Sequence, residues 1–231
     1  MVRKFPERIS ARMIRILNQK KVFLIRQHTN IKFGTSAFII GTVIMTNPGS
    51  FDFKNSKGWD DFKNGKGHLE VFDAEDYADL TIQNIIEVIR EGYKSANLGT
   101  PDGIVQIFNI SNVVQSKGEK AEDYHKKVKM LIEKSNEFDQ NLITDPVTNN
   151  EQAFIDTCIS SQFVIMGFVD KVFSNNVSDI IKWSRPLSDR LIVAIDDKNR
   201  YSHPRRWRTE KHLKELAIKR MSQVLARQLP Y

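Results

Sequence analysis

The stretch Ala37-Phe-Ile-Ile-Gly-Thr-Val-Ile-Met-Thr-Asn-Pro-Gly-Ser50 decides the fold of this 231-residue chain. Its apolar part is continuous, rich in β-branched residues and without a 3.6-residue period, which is typical of a strand buried on both faces. Asn47-Pro48-Gly49-Ser50 then ends the run with strong turn formers. Because ligands of open α/β sheets bind beyond the carboxyl ends of the strands, this turn is also a candidate site.

Three later apolar runs have the same character, and helical patterns separate them: 104–108, 162–167 and 190–195. Strands that alternate with helices predict right-handed parallel crossovers. We therefore expect an α/β fold, a three-layer α/β/α sandwich with a central, mainly parallel four-stranded sheet. The first long helix is predicted to begin near Ala74 with Asp73 as its N-cap, and the last to cover about 209–228.

We expect one domain over 1–231, made of three regions. In residues 1–34 we predict a basic amphipathic helix at 6–18 and a short edge strand at 22–25. Residues 35–207 are predicted to form the core. Residues 208–231 are predicted to form a C-terminal amphipathic helix. Residues 51–72 have no regular period, and so long a polar connection suggests a cover over the strand ends. Its aromatic side chains suit either stacking on a base or packing against the body, and packing is the favoured role.

Charge is distributed unevenly along the chain. Residues 1–34 hold nine Lys and Arg against one Glu, and 204–231 hold eight against two, so the ends together carry +14 and the middle −7. Basic ends on an acidic body favour contact with a polyanion such as DNA, RNA or a nucleotide, although solvated helix faces give the same pattern. The chain has no bilayer-spanning run and its charged start lacks the apolar segment of a signal peptide, so we expect a cytoplasmic protein with no membrane contact.

The sequence also argues against several kinds of site. A single cysteine, Cys158, excludes an internal disulfide and a cysteine-based zinc site, and its apolar surroundings predict a buried thiol. The chain has no Walker loop, no Gly-x-Gly-x-x-Gly after the first strand, no Gly-x-Ser-x-Gly elbow and no His-Glu-x-x-His. Asp196-Asp197 lacks an identifiable third ligand, so we interpret it as a turn and expect neither a metal nor a cofactor.

Polar or small residues follow all four predicted strands. They are Asn47-Pro-Gly-Ser50, Asn109-Ile-Ser-Asn112, Gly167 and Ser202-His-Pro204 with the adjacent Arg205. If the strands are parallel, their ends share one edge, and Asn47, Asn109 and His203 converge there. Amides suit the edge of a nucleobase, and an imidazole can donate to a developing oxyanion. Turn formation and strand capping remain alternative roles for these residues, and the amide of Asn47 can position a water but cannot act as a general base.

This layout resembles that of the uracil-DNA glycosylase superfamily. The Asn47-Pro48-Gly49 turn is closest to that of its mismatch-specific branch. The layout as a whole is more similar to an uncharacterised bacterial family of the same fold group, with an Asn-Pro-Ser-type turn, a helix opening with Asp-x-Thr-Ile and a final strand followed by His-Pro. Asp79-Leu-Thr-Ile82 and His203-Pro204 match those motifs, and the resemblance covers residues 37–207.

The resemblance implies a role for each matching residue. Asn47 would orient the attacking water, Asn109 would read the pyrimidine edge, and His203 would stabilise charge on the departing base. Phe51 or Phe53 would stack on a flipped base. The remaining substrate-binding candidates are Pro48, Gly49, Ser50, Ser111 and Arg205. The chain departs from glycosylases because Arg205-Arg-Trp207 replaces their small residues and apolar wedge, and because no Asp occupies the water-activating position.

Three functions are compatible with these features. The first is a protein that binds a nucleotide or a nucleic acid, without catalysis, in the cleft at the strand ends. The second is a DNA glycosylase that hydrolyses the N-glycosidic bond of uracil or a modified base. The third is a protein-protein interaction module that docks through the C-terminal amphipathic helix, whose apolar face is equally suited to covering the sheet. We rank binding first, because the fold is better supported than the chemistry.

Overall fold

The structure is a computed structural model that describes residues 4–19, 21–49, 51–135 and 138–228, except for the side chain of Gln140. Within these residues the strands are β1 (Arg8–Asn18), β2 (Lys21–Phe33), β3 (Ile39–Met45), β4 (Val71–Tyr77), β5 (Gly103–Asn109), β6 (Phe163–Gly167) and β7 (Leu191–Ile192). The helices are α1 (Trp59–Lys63), α2 (Leu80–Ser95), α3 (Ala121–Ser135), α4 (Pro146–Asn149), α5 (Glu151–Ile159), α6 (Ser174–Trp183) and α7 (Lys211–Ala226). Among the described residues, no helix is both long enough and apolar enough to cross a membrane.

All these strands belong to one mixed sheet in the order β4-β1-β2-β5-β3-β6-β7. The neighbours β5, β3, β6 and β7 are parallel, whereas β4, β1 and β2 are antiparallel to one another and β2 is antiparallel to β5. The α/β class is therefore confirmed. The prediction of a four-stranded sheet is wrong, because the four predicted strands form only the parallel half of a seven-stranded sheet.

The predicted helix at 6–18 is instead strand β1. Ile9, Ala11 and Met13 pack into the cluster on one face of the sheet, and Ile14 and Ile16 pack into another cluster on the opposite face. Because the two halves of this strand are buried on different faces, its apolar residues occupy odd positions in the first half and even positions in the second. The resulting spacing resembles that of an amphipathic helix. The short edge strand predicted at 22–25 is also wrong, because β2 is 13 residues long and lies inside the sheet between β1 and β5.

Residues 51–72 do not cover the strand ends. Phe51, Phe53, Trp59 and Phe62 are at most 2% exposed and pack edge-to-face or stacked in one aromatic cluster. The guanidinium of the buried Arg15 in β1 donates to the carbonyl oxygens of Phe62 and Lys66 at 3.0 and 2.8 Å, which holds this segment on the sheet. The favoured packing role of the aromatics is confirmed.

The first long helix begins later than predicted. Residues 71–77 extend as β4 along β1, and α2 begins at Leu80 with Asp79 as its N-cap, whose side chain accepts from the Ile82 amide at 2.9 Å. The error arose because Ala74 and Ala78 continue the apolar spacing of α2 by chance. The predicted N-cap, Asp73, pairs instead with Arg12 across β1 and β4.

Two apolar clusters on opposite faces of β3 form most of the core. Val43 and Met45 face α2 and α7, and Ile44 faces α5 and α6. Cys158 is buried in the second cluster, as predicted. Burial raises the pKa of its thiol to about 12. The apolar face of α7 belongs to the first cluster and covers α2 and the sheet.

Candidate functional site at the carboxyl ends of the parallel strands

The register of the parallel strands brings their carboxyl ends together. Met45 at the end of β3 aligns with Asn109 of β5 on one side and with Gly167 of β6 on the other. After β3 the chain passes through β4 at the far edge of the sheet to β5, which lies on one side of β3, and then crosses to β6 on the other side of β3. The direction in which parallel strands are added therefore reverses at β3. Crevices at such switch points are where open α/β sheets bind their ligands.

A cavity of about 870 Å³ lies at this edge. Residues of four segments that follow β3, β5, β6 and β7 line it, and so do the first turn of α2 and one face of α6. Its volume falls within the range of ordinary ligand sites, about 300 to 1,000 Å³. The position and size of the cavity make it the candidate functional site.

Asn47 is part of the cavity wall and also holds two turns together. It is 5% exposed, and its Nδ2 donates to the carbonyl oxygens of Gln115 at 2.7 Å and Pro48 at 2.9 Å. The Gln115 amide donates back to the Pro48 carbonyl at 3.2 Å. Both amide hydrogens are therefore used within the protein, and no described residue donates to Oδ1. What Asn47 can offer a ligand or a water is an acceptor.

His203 reaches the same cavity from the turn after β7. The turn that carries His203 packs directly against the end of β6 at Gly167. A Cβ added to Gly167 would lie 2.6 Å from the Ser202 carbonyl oxygen and 2.7 Å from Pro204 Cδ. Asn84 of α2 donates to the Pro204 carbonyl at 2.9 Å, and the buried Trp207 donates to Ser202 Oγ at 3.0 Å. The turn is therefore fixed from β6, from α2 and from its own following residues.

Two features favour a neutral imidazole at His203. Burial, together with the nearby positive charge of Arg205, lowers its pKa to about 4. Nδ1 accepts from the Arg205 amide at 3.2 Å, as the N-cap of the short 3₁₀ turn Pro204–Arg208. An accepting Nδ1 fixes the tautomer with its proton on Nε2. Nε2 is then a donor without a partner among the described residues.

An ion-pair network supports the wall that carries His203. The carboxylate of Asp196 accepts from Arg200 Nη2 at 2.8 Å and from Arg206 Nη1 at 2.6 Å, and these charges hold its pKa far below the usual value. Arg200 also pairs with Asp170 in the loop after β6, and Arg206 pairs with Glu210. The network joins the segments after β6 and β7. Asp196 also accepts from the backbone amide of Lys198, which confirms the predicted turn.

Positive charge exceeds negative charge around the cavity. Six basic and two acidic side chains are found among its described lining residues: Lys171, Lys182, Arg185, Arg200, Arg205, Arg206, Glu119 and Asp170. Arg200 and Arg206 are committed to the network, but no described carboxylate pairs with Lys171, Lys182, Arg185 or Arg205. Cations that are not neutralised inside a concave site attract anionic ligands.

The loop after β6 has an unusual backbone. Lys171 and Phe173 both adopt left-handed conformations, with φ of 59° and 53°, and Asn199 on the facing wall has φ of 58°. Such conformations cost non-glycine residues on the order of 1 kcal/mol or more and are concentrated at functional sites. The loop holds its shape because the Val169 amide donates to Thr46 Oγ1 at 2.8 Å and the Phe173 amide to Glu122.

The structure brings some of the predicted site residues together and separates others. Asn47, Gly49, His203 and Arg205 line the cavity. Pro48 is buried and is not part of the lining, and Ser50 lies outside the described residues. The lining does not include Phe51, Asn109 or Ser111.

The three residues outside the lining have other surroundings. Phe51 is 2% exposed, with its ring centroid 5.1 Å from the guanidinium of Arg26, so it is packed where no base can stack on it. The Oδ1 of Asn109 is buried without a hydrogen-bond partner among the described residues. Ser111 is fully buried, and its Oγ lies 2.9 Å from His125 Nδ1.

Sequence reasoning missed the contribution of α6. Val177 and Ile181 are half-buried: they pack against the second apolar cluster and also border the cavity, whereas Ile180 of the same helix is fully buried. The spacing of Val177, Ile181, Lys182 and Arg185 on one face was the available signal. The basic N-terminal region, residues 4–19 and 21–34 as described, contributes nothing to the lining.

No family model matches the chain, and no curated protein or solved structure matches it either. Within the described part of the chain, no group of three or more His, Cys, Asp or Glu side chains is placed to hold a metal ion. The functional interpretation therefore depends on the geometry of the cavity.

Proposed function

We propose that this chain binds a nucleotide or a nucleic acid strand in the cavity at the carboxyl ends of β3, β5, β6 and β7. The observation that carries the proposal is the combination, in one cavity of about 870 Å³, of a neutral donor on His203, an acceptor on Asn47 and four cations without ion-pair partners. A base needs donors and acceptors at its edge, and a phosphate needs positive charge.

Two further features support this proposal. The half-buried Tyr201 and the apolar side chains of Val177 and Ile181 give the cavity a nonpolar surface against which a base or sugar can pack. The order β5-β3-β6-β7, with one turn after β3 and the His203 turn after β7, supports a uracil-DNA glycosylase-like arrangement of the parallel half as part of the same proposal. Function does not follow from that likeness alone.

Replacing His203 by asparagine is expected to weaken ligand binding by about tenfold. Asparagine keeps an acceptor for the Arg205 amide at the N-cap but removes the Nε2 donor, and losing a hydrogen bond to a ligand costs about 1 to 2 kcal/mol. Isothermal titration calorimetry first identifies which nucleoside monophosphates or short oligonucleotides bind the wild-type chain. It then measures how much the variant weakens their affinity.

The matched control is His212→Asn on the exposed start of α7, outside the cavity lining. It should leave affinity and melting temperature unchanged. If no nucleotide or oligonucleotide binds the wild-type chain, the proposed function is wrong. If one binds and His203→Asn binds it equally well, the cavity is not where it binds.

A second candidate function is hydrolysis of an N-glycosidic bond, and the neutral His203 with Nε2 protonated favours it. Such a group can donate to a base as it leaves with developing negative charge. The two carboxylates of the described lining are less suited to activate water: Asp170 is paired with Arg200, and Glu119 is exposed. Alkali-induced cleavage of oligonucleotides containing uracil or modified bases tests this; retention of the activity in His203→Asn would exclude the assigned role.

A further inference from the structure

One face of α6 borders the cavity along the length of the helix. The lining residues recur at steps of three and four: Ser174, Val177, Ser178, Ile181, Lys182 and, just beyond the helix, Arg185. At 1.5 Å per residue the row covers about 12 Å within the helix and about 16 Å with Arg185. The site is therefore elongated along α6, which a compact pocket for a single base would not require.

Cations that pair with no described carboxylate lie at both ends of this row. Lys171 precedes the helix, and Lys182 and Arg185 lie at its far end. All three are exposed and have no ion-pair partner among the described carboxylates. Charges separated in this way suit several phosphates in succession better than one phosphate.

The N-terminus of α6, which follows the loop after β6, adds positive potential at the Ser174 end of the row. Its N-cap, Phe173, provides no side-chain acceptor for the first amides of the helix, and Ser174 in the first turn lines the cavity. Free amides at a helix N-terminus favour an anion. Between this end and Lys182, Val177 and Ile181 provide an apolar surface, and Tyr201 lies on the lining as well.

Resting on the proposed function, we propose that α6 binds the successive phosphates of a single-stranded oligonucleotide that runs along the helix. At about 3.4 Å per stacked nucleotide, a row of about 16 Å corresponds to about four or five nucleotides. Single-strand sites combine a basic groove with aromatic and apolar surfaces in this way. DNA and RNA strands share this chemistry.

The test is fluorescence anisotropy with labelled single strands of two, four, six and eight nucleotides, as DNA and as RNA, with a duplex of the same sequence and an unlabelled mononucleotide as competitor. Affinity of at least one type of strand should rise with length and level off near five nucleotides. For Lys182→Gln/Arg185→Gln, the slope of log K against log salt should fall by about 1.4, and affinity for the eight-nucleotide strand by about tenfold at low salt.

The control variant Lys134→Gln/Lys219→Gln removes the same charge from two exposed positions outside the cavity lining. It should change the slope far less. The inference alone fails if a mononucleotide binds as tightly as the longest strand, if the duplex binds more tightly, or if both double variants lose equally. If neither strands nor mononucleotide bind, the proposed function fails as well.

Discussion

Deleting residues 209–231 is expected to leave a chain that does not fold. The helix α7 buries Leu213, Ala217, Met221, Val224 and Leu225 to 2% exposure or less. Burial of these side chains contributes roughly 8 kcal/mol, comparable with the whole stability of a typical domain. The contact with α2 is close, since a Cβ added to Gly92 would lie 2.1 Å from Met221 Cγ.

Far-UV circular dichroism and size-exclusion chromatography measure the outcome. Deletion of only 229–231 is the control and should leave a folded protein, because it keeps all of α7. A folded, monomeric chain lacking 209–231 would contradict the assignment of α7 to the core. It would also favour the third hypothesis, in which this helix docks on a partner.

Replacing Trp207 by alanine is expected to lower the free energy of unfolding by about 3 to 5 kcal/mol. The side chain is fully buried, and its Nε1 donates to Ser202 Oγ at 3.0 Å. Its removal leaves a large cavity directly behind the turn that carries His203. Urea denaturation followed by circular dichroism measures the change.

Trp207→Phe is the matched control, because it keeps most of the packing and loses only the hydrogen bond to Ser202. It should cost about 1 to 2 kcal/mol. A loss below about 1 kcal/mol for Trp207→Ala would contradict the packing described for this residue. Both variants should also weaken ligand binding if Trp207 holds the His203 turn in place.

The parallel half of the fold could be predicted from the sequence, and so could part of the site. The run after Ala37 is buried on both faces and has the apolar composition of a central strand, and the later runs correspond to β5, β6 and β7. Once those strands are parallel, the convergence of Asn47 with His203 follows from topology. That step requires only the alternation of strands and helices.

The antiparallel half could not be predicted, because its strands are stabilised by distant partners. β1 pairs with β4, about sixty residues later, and is buried on different faces along its length, so its local pattern resembles a helix. The polar sequence of β4 gives no signal of its own, with Asp73, Glu75 and Asp76 among its seven residues. Tertiary pairing overrides such weak local preferences.

The separation of Asn109 and Ser111 from the cavity was equally hidden. Asn109 is the last residue of β5 and Ser111 lies two residues later, and both side chains are buried. The sequence placed their backbone at the correct edge without indicating where the side chains point. Of the cavity cations that pair with no described carboxylate, only Arg205 was predicted. Lys171, Lys182 and Arg185 were missed because net charge drew attention to the chain ends, whereas these three belong to the middle.

The most direct test of the account is an NMR titration of the isotopically labelled chain with a single-stranded octanucleotide, following the backbone amides. We expect shift changes to be concentrated at Gly49, at 169–185, which includes α6, and at 199–206, the segments that contribute residues to the cavity lining. Shift changes confined to the basic strands β1 and β2, or no changes at saturating ligand, would contradict the claim that this cavity is the binding site.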